Sequence, residues 1–213
     1  MRFDSFLEIK TKIKNSDLLG DSAHRIMSPP FREHLARQMK EKAEQAKKAA
    51  VMALFYPDHF NETTLVLILR NSYPGVHSAQ VGFPGGKIES FDPSYQAAAL
   101  RETEEEIGVN SRRIQVIKAM SPLYIPPSNF MVYPFLGILE HNPDFVRDVN
   151  EVQDIIEVKL ATFLDKESVI VTKVTTSYNV DVEVPAFLLN GHVVWGATAM
   201  MLSEIKEVLN NSI

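Results

Sequence analysis

The sequence predicts a mixed α/β domain, and three observations support this fold class. Short apolar runs rich in β-branched residues, typical of strands, alternate with segments whose apolar residues recur at helical spacing. Asn190-Gly191 between two apolar runs is a strong hairpin signal. The chain has 213 residues, 45% hydrophobic and 23% charged, which is the composition of an ordinary folded protein. Strands interrupted by a few helices indicate the α/β class, although the order of the strands is not readable.

The first 48 residues have a helical pattern. An amphipathic first helix is indicated by apolar residues three and four positions apart: Phe3, Phe6, Ile9 and Ile13. Ser28-Pro29-Pro30 interrupts this pattern. Residues 32–48 are rich in helix formers, with glutamates among the basic residues, which indicates a solvated helical face and not a basic patch. We therefore expect an N-terminal helical extension at 1–48, followed by one domain at 49–213.

From Ala49 the pattern becomes that of strands, and a helix closes the sequence. The predicted strands cover 50–56, 64–69, 114–119, 132–139, 168–175 and 180–188. Between Ala199 and Leu209, apolar residues return to helical spacing. The methionines and leucines of that last segment are expected to pack in the core and not to bind a ligand.

Composition and charge exclude several classes of function. The absence of cysteine excludes thiolate zinc sites and cysteine nucleophiles. The formal net charge of -5 argues against a nucleic-acid partner, because such binding needs clustered lysines and arginines. No apolar run approaches the ~20 residues that span a bilayer, and the N-terminus lacks a signal-peptide pattern. We expect a cytoplasmic protein with a small-molecule partner; the oligomeric state is open, and a homodimer is compatible with the sequence.

The most informative stretch runs from Gly82 to Val109. Asp92-Pro93 is a predicted helix start, since aspartate caps free amide groups and proline suits the first helical position. Gly108 is a predicted helix stop, which leaves about four helical turns between the two signals. Three glutamates of this helix fall within one arc: Glu102, Glu105 and Glu106. A separate arc is suited to pack on the sheet: Ala99, Leu100, Thr103 and Ile107.

Carboxylates stacked on one helix face repel each other, so a cationic partner is expected. Carboxylate oxygens are preferred ligands of Mg²⁺ and Mn²⁺, which complete their coordination with water and substrate phosphate. Gly85-Gly86 lets the backbone approach the same ions closely. Arg101 has two interpretations: an exposed salt bridge with Glu105, or, as we favour, a side chain that orients this carboxylate toward the ions. Glu104 alone is expected to be solvated.

This stretch resembles the signature of the Nudix hydrolase superfamily, Gly-x5-Glu-x7-Arg-Glu-U-x-Glu-Glu-x-Gly-U, in which U is apolar. Residues 101–109 match the second half, except that Thr103 stands where an aliphatic residue is usual. In the first half, counted from Gly86, the acidic position falls on Asp92, and the spacer to the arginine is one residue longer. Glu89 is a second candidate for this acid, and the sequence does not decide between them.

The resemblance implies a mixed β-sheet sandwiched between helices and a metal-dependent attack of water on a diphosphate linkage. It implies that the cofactor, Mg²⁺ or Mn²⁺, is bound by Glu102, Glu105, Glu106 and the carbonyl of Gly86. It does not settle which group takes the proton from water. A glutamate of the motif is one candidate, and Glu151, in the loop Asn150-Glu151-Val152, is another.

Segments outside this helix resemble the coenzyme A diphosphatase branch of the superfamily. The matching positions lie within 67–72, 77–86, 133–134, 150–152 and 195–199. We expect the substrate to be bound by Arg70, Phe83, Gly85 and Lys87. The sequence departs from the branch where Asn71 replaces a serine, Ala79 a glycine and Gly75 an arginine. His77 and Lys87 are the nearby candidates to replace that arginine as a phosphate partner, although a lone exposed histidine or lysine is usually solvated.

The resemblance implies cleavage of coenzyme A or acyl-CoA into 3′,5′-ADP and a 4′-phosphopantetheine product. The alternatives are hydrolysis of ADP-ribose, NADH or dinucleoside polyphosphates, because the metal-binding motif handles only the diphosphate. A non-catalytic nucleotide-binding module is less favoured, since such a module can lose its carboxylates without harm to folding, and all three are present. A purely structural protein gives no account of the stacked glutamates.

Overall fold

The computed structural model describes residues 1–71, 80–175 and 181–213, whose elements confirm the mixed α/β class. The helices are α1 (Phe3–Glu8), α2 (Lys10–Asn15), α3 (Asp21–Ile26), α4 (Arg32–Gln38), α5 (Lys40–Ala43), α6 (Tyr95–Ile107), α7 (Leu160–Leu164) and α8 (Gly196–Asn210). The strands are β1 (Lys47–Pro57), β2 (Thr63–Arg70), β3 (Val81–Gly82), β4 (Gly85–Lys87), β5 (Gln115–Ala119), β6 (Leu123–Ile125), β7 (Phe130–Ile138), β8 (Val152–Lys159), β9 (Val169–Thr175), β10 (Asp181–Leu189) and β11 (His192–Trp195). Within the described ranges, no helix has the length and apolar character that crossing a membrane requires.

A mixed sheet of strands β1 to β8 forms the centre of the fold. Strand β1 pairs with β7 in parallel, and along its other edge it pairs with β2 and β4 antiparallel. Strands β5 and β6 extend the sheet beyond β7, while β3 and β8 pair with β2. A separate antiparallel sheet holds β9, β10 and β11. The short strand β4, which carries Gly85 and Gly86, therefore lies beside the central strand.

Alternate residues of β1 face opposite layers of helices, as the period of a strand requires. The even-numbered residues from Ala50 to Tyr56 belong to the hydrophobic cluster that α6 completes. Ala49, Ala53 and Phe55 belong to the cluster on the other face, to which α8 and the N-terminal helices contribute. The sheet is therefore sandwiched between helices, as the resemblance implies.

The N-terminal segment packs into the same core as the rest of the chain. The predicted apolar face is buried at Phe3, Phe6 and Ile13. Two short helices, α1 and α2, replace the single helix expected. The predicted helical pattern at 32–48 is wrong in its last part, since α5 ends at Ala43 and Lys47 begins β1. Pairing of Lys47 with Phe130 of β7 extends the strand, so tertiary contacts override local helix preference.

The six predicted strands are present, with ends that shift by a few residues; position 180 itself lies outside the described residues. The predicted hairpin is confirmed, because Asn190 and Gly191 have φ values of 49° and 81°, both positive as a type I′ turn requires. The sequence pattern did not predict strand β8. Its outward positions carry acids such as Asp154 and Glu157, which weaken the apolar pattern of a strand.

Helix α6 begins later than the sequence predicts. Its N-cap is Ser94, whose side chain accepts a hydrogen bond from the N–H of Ala97 at 3.1 Å. The predicted cap, Asp92, instead accepts from the N–H of Glu89 at 2.8 Å, so its carboxylate is not available to the helix amides. The predicted stop is confirmed: Gly108 follows the last helical residue with a φ of 73°.

Candidate active site

Strand β4 brings two glycines against the carboxylates of α6. A side chain on Gly86 would collide with Glu102, since a Cβ placed there would lie 2.3 Å from Glu102 Oε2. Gly85 has a φ of 147°, and a Cβ there would lie 2.4 Å from the carbonyl oxygen of Ala50 on β1. Gly85 therefore needs glycine for its backbone conformation and for close approach to β1, whereas the lack of a side chain at Gly86 lets the Glu102 carboxylate approach the strand. The result is a carboxylate held directly against the backbone of β4.

Glu106 is the most deeply buried acid of this site, with 1% of its surface exposed. Its Oε2 accepts a hydrogen bond from the N–H of Gly85 at 2.7 Å, and its Oε1 forms an ion pair with Nη2 of Arg70 at 3.0 Å. Oε1 accepts no hydrogen bond from the described residues. Burial raises the pKa of Glu106 to about 7, although Arg70 and Gly85 oppose the rise, and Glu102 and Glu151 add to it. This carboxylate therefore has capacity for a cationic partner.

Arg101 is the centre of the charge network on α6. Its Nη1 donates to Glu102 Oε1 at 2.8 Å and to Glu105 Oε2 at 2.7 Å. Its Nε and Nη2 each donate to one carboxylate oxygen of Asp92 at 2.9 Å. The contact with Glu105 alone would be a surface salt bridge, because 59% of that side chain is exposed. The simultaneous contacts with Asp92 and Glu102 favour a positioning role for Arg101.

The same network distinguishes the two acids that the sequence left open. Asp92 faces Arg101, which lowers the pKa of Asp92 through their hydrogen bonds. Glu89 instead forms an ion pair with Lys87 at 3.1 Å, and the two side chains are 42% and 55% exposed. Asp92 therefore lies in the network of the motif, whereas Glu89 lies at its rim.

The donor chemistry of the site suits a divalent cation. Glu102 is half-buried, and burial raises its pKa; Arg101 opposes the rise, whereas Glu105 and Glu151 add to it. Among residues 1–71, 80–175 and 181–213, no three acidic or histidine side chains are arranged as a ligand set, and Arg101 holds two of the acids. Desolvated carboxylates that repel each other fit a hard cation as an added partner, and Glu106 Oε1, which is ion-paired with Arg70, accepts no hydrogen bond from the described residues.

The loop with Glu151 packs on the C-terminal end of α6. The N–H of Asp148 donates to the carbonyl of Glu106 at 2.9 Å, and the N–H of Glu151 donates to the carbonyl of Asp148 at 3.2 Å. The carbonyl of Glu151 accepts from the N–H of Asn71 at 2.9 Å. Its carboxylate is exposed, yet its charge raises the pKa of both Glu102 and Glu106. The loop therefore brings a fourth acid to the solvent side of the site.

A cavity of about 490 Å³ adjoins this site. It is lined by the predicted substrate-binding residues, which are Arg70, Phe83, Gly85 and Lys87, and by Gly86. Residues 195–198, which join β11 to α8, line it as well. Of the positions compared with the coenzyme A branch, Gly75, His77 and Ala79 lie outside the described residues. Three of the segments that resemble the coenzyme A branch therefore contribute residues to one cavity.

Sequence reasoning missed part of this cavity wall. Phe31, Arg32 and Leu35, at the start of α4, line the cavity together with Pro126 and Phe130. The only signal in the sequence was the pair of apolar residues four positions apart on a helix otherwise rich in charge. Because α4 belongs to the N-terminal extension, its place in the cavity wall depends on the tertiary fold.

Comparisons with known proteins agree with this arrangement. A profile of the NUDIX domain matches residues 46–174. The chain is 31% identical over 144 residues to a protein described as an uncharacterized Nudix hydrolase, NudL, of Photorhabdus laumondii, which covers 68% of this chain and 76% of that protein. It is 30% identical over 156 residues to the NudL protein of Yersinia enterocolitica, with 70% and 75% covered.

A solved structure supports the fold. The MutT/nudix family protein from Enterococcus faecalis superimposes with a TM-score of 0.51 at 18% identity, covering 84% of this chain and 71% of that one. The NUDIX profile spans more than half of the chain, and the helix that carries Arg101 and the glutamates lies inside that span. The chain therefore belongs to the Nudix hydrolase family, enzymes that act on pyrophosphate bonds.

Proposed function

We propose that this Nudix hydrolase cleaves coenzyme A or an acyl-CoA into 3′,5′-ADP and a 4′-phosphopantetheine product. The observation that carries the proposal is the cavity beside β4. Three segments from distant parts of the chain resemble the coenzyme A branch and contribute residues that line this one cavity: Arg70, then Phe83, Gly85 and Gly86, and residues 195–198. Their convergence supports a common role in binding the groups attached to the diphosphate.

The metal-binding part of the proposal assigns the cation to the face of α6 that meets β4. Glu102, Glu105, Glu106 and the carbonyl of Gly86 would hold Mg²⁺ or Mn²⁺. A bound divalent cation supplies stabilisation of negative charge on phosphate oxygens and polarises water. The contacts of Glu102 with Gly86 and of Glu106 with Gly85 support this assignment, because they keep both carboxylates at one strand.

In the proposed reaction, a water oxygen attacks one phosphorus and the bond from that phosphorus to the bridging oxygen breaks. The departing phosphate carries the bridging oxygen. We assign the proton lost by water to the carboxylate of Glu151, which is exposed and lies within electrostatic reach of Glu102 and Glu106. Arg101 positions Glu102 and Glu105 through its two short hydrogen bonds.

The shape of the cavity supports a substrate with bulky groups on the diphosphate. A volume of about 490 Å³ lies within the usual range for small-molecule sites. Its wall is mostly apolar, with Phe130 and Trp195 available to adenine or to the pantetheine arm and the buried Phe83 behind them. Arg70 and Lys87 add positive charge at the end nearest β4. The cytoplasmic location, the homodimer and the division at 48/49 stay predictions beside this proposal.

A substrate panel tests the proposal. We expect kcat/KM with Mg²⁺ or Mn²⁺ to be highest for coenzyme A or an acyl-CoA among a panel that includes ADP-ribose, NADH and diadenosine polyphosphates. Products identified by mass spectrometry should be 3′,5′-ADP and 4′-phosphopantetheine. A preference for ADP-ribose by about tenfold, roughly 1.4 kcal/mol of transition-state binding, would contradict the coenzyme A assignment and leave the metal-site argument in place.

A further inference from the structure

The cavity contains a cation that the reaction does not use. Arg32, the first residue of α4, lines the cavity together with Arg70 and Gly86. Its Nη2 donates a hydrogen bond to the carbonyl oxygen of Tyr124, the middle residue of β6. This contact fixes a half-buried guanidinium in the wall that the N-terminal extension contributes.

Arg70 and Lys87, the other cationic side chains of the cavity wall, each form an ion pair with a carboxylate, and Arg32 differs from them in this respect. Arg70 is paired with Glu106 at 3.0 Å, and Lys87 is paired with Glu89 at 3.1 Å. In the described parts of the chain, no carboxylate forms an ion pair with Arg32. Burial lowers the pKa of Arg32 to about 10, which leaves the guanidinium charged at neutral pH. A desolvated cation without a counter-ion favours the binding of an anion.

The position of Arg32 separates it from the diphosphate site at β4. Tyr124, its hydrogen-bond acceptor, pairs with Met131 of β7. Met131 pairs with Lys48 of β1, whose carbonyl accepts from the N–H of Ile88 beside β4. These steps cross three neighbouring strand spacings, which place Tyr124 about 14 Å from the chain at β4. An anion at Arg32 is therefore a second anionic group of the substrate and not the scissile diphosphate.

We propose that Arg32 binds a phosphomonoester of the substrate, so that the N-terminal extension contributes a specificity-determining residue to the active-site cavity. The planar guanidinium fork matches a phosphate group with parallel N–H···O bonds. The choice of phosphate rests on the proposed function, in which the adenosine 3′-phosphate of coenzyme A is the phosphomonoester. The ribose separates this phosphate from the diphosphate.

The test compares coenzyme A with 3′-dephospho-coenzyme A in three variants. For Arg32→Gln we expect kcat/KM for coenzyme A to fall about tenfold or more, while that for the dephospho substrate stays within about twofold. Arg32→Lys keeps the charge without the fork and should show a smaller loss of the same selectivity. Arg37→Gln is the matched control, because Arg37 lies on the same helix with 81% of its side chain exposed. It should behave as wild type.

Equal losses for both substrates, or no loss for either, would overturn the assignment. If Arg32→Gln does not fold, the lysine variant decides, since an unchanged preference between the two substrates would contradict a role for the fork. Calorimetric binding of 3′,5′-ADP and of 5′-AMP separates this inference from the proposed function. If wild type hydrolyses neither coenzyme, the function fails, yet tighter binding of 3′,5′-ADP that is lost in Arg32→Gln would still support the phosphate site. Equal binding of both nucleotides by wild type would overturn it.

Discussion

The close contact between Gly86 and Glu102 leads to a sharp prediction for Gly86→Ala. An added Cβ would lie 2.3 Å from Glu102 Oε2, 2.5 Å from its Cδ and 2.8 Å from its Oε1. Rotation of the carboxylate does not relieve a clash with all three atoms. Only displacement of the side chain removes it, and this displacement breaks the 2.8 Å hydrogen bond from Arg101.

The expected magnitude follows from the size of that displacement. Ordinary contacts of a Cβ begin near 3.4 Å, so the carboxylate has to retreat by about 1 Å. A misplacement of this size in an active site lowers turnover by roughly hundredfold. The fold should tolerate the change, because the displaced atoms are the far end of a flexible side chain. We expect the free energy of unfolding to stay within about 1 kcal/mol of wild type.

The assay measures kcat for coenzyme A at saturating Mg²⁺, with the melting temperature measured on the same preparation. Gly82→Ala is the matched control, since Gly82 lines the same cavity and a Cβ there would meet only Thr198 Oγ1, at an ordinary 3.8 Å. It should keep wild-type turnover. Wild-type kcat in Gly86→Ala would refute the reasoning, because the placement of Glu102 against β4 would then not matter.

Two further predictions concern charge networks. Arg101→Lys keeps the charge but loses the paired hydrogen bonds to Asp92, so kcat should fall by about tenfold while KM changes little; kinetics equal to wild type would return Arg101 to a surface salt bridge. Burial of Glu204 opposes ionisation, but His24 at 3.6 Å and hydrogen bonds from the hydroxyl and N–H of Ser121 and from the N–H of Gly20 outweigh it and lower the pKa of Glu204 from 4.5 to about 2. Because the pKa of Glu204 is lower in the folded state, its ionised carboxylate adds at most about 3 kcal/mol to the free energy of unfolding. This contribution is present above pH 4.5 and is lost as the pH falls toward 2. Glu204→Gln should flatten the stability profile measured by denaturant titration over that range, and an unchanged slope would contradict the role of this network.

The sequence predicted those parts of the site that depend on local structure. The spacing of the glutamates and the stop at Gly108 lie within one helix, and a single helix presents its residues wherever it packs. The three glutamates that share one arc differ in burial, which the helical period does not predict. Glu106 is buried against β4, whereas Glu105 is largely exposed, because the face of α6 meets the strand along one edge. That orientation is set by packing and not by helical period.

The parts that sequence reasoning missed depend on distant contacts. Asp92 has the residue type and the position of a helix cap, yet its carboxylate faces Arg101, and Ser94 takes the cap. Arg32 belongs to a segment for which the sequence predicted a solvated helical face. Its place in the cavity depends on a hydrogen bond to Tyr124, which is far away along the chain. No local pattern encodes such pairings, since they exist only once the sheet has formed.

The most direct test of the account is the turnover of Glu102→Gln and Glu106→Gln at saturating Mg²⁺. Each change keeps the shape of the side chain and removes one carboxylate of the proposed metal site. We predict that kcat falls by about hundredfold or more in both, while the folded protein is retained. Glu104→Gln is the control on the same helix; its exposed side chain lies outside the site and should leave kcat unchanged. Near-wild-type kcat in either Glu102→Gln or Glu106→Gln would contradict the assignment of the active site to this face of α6.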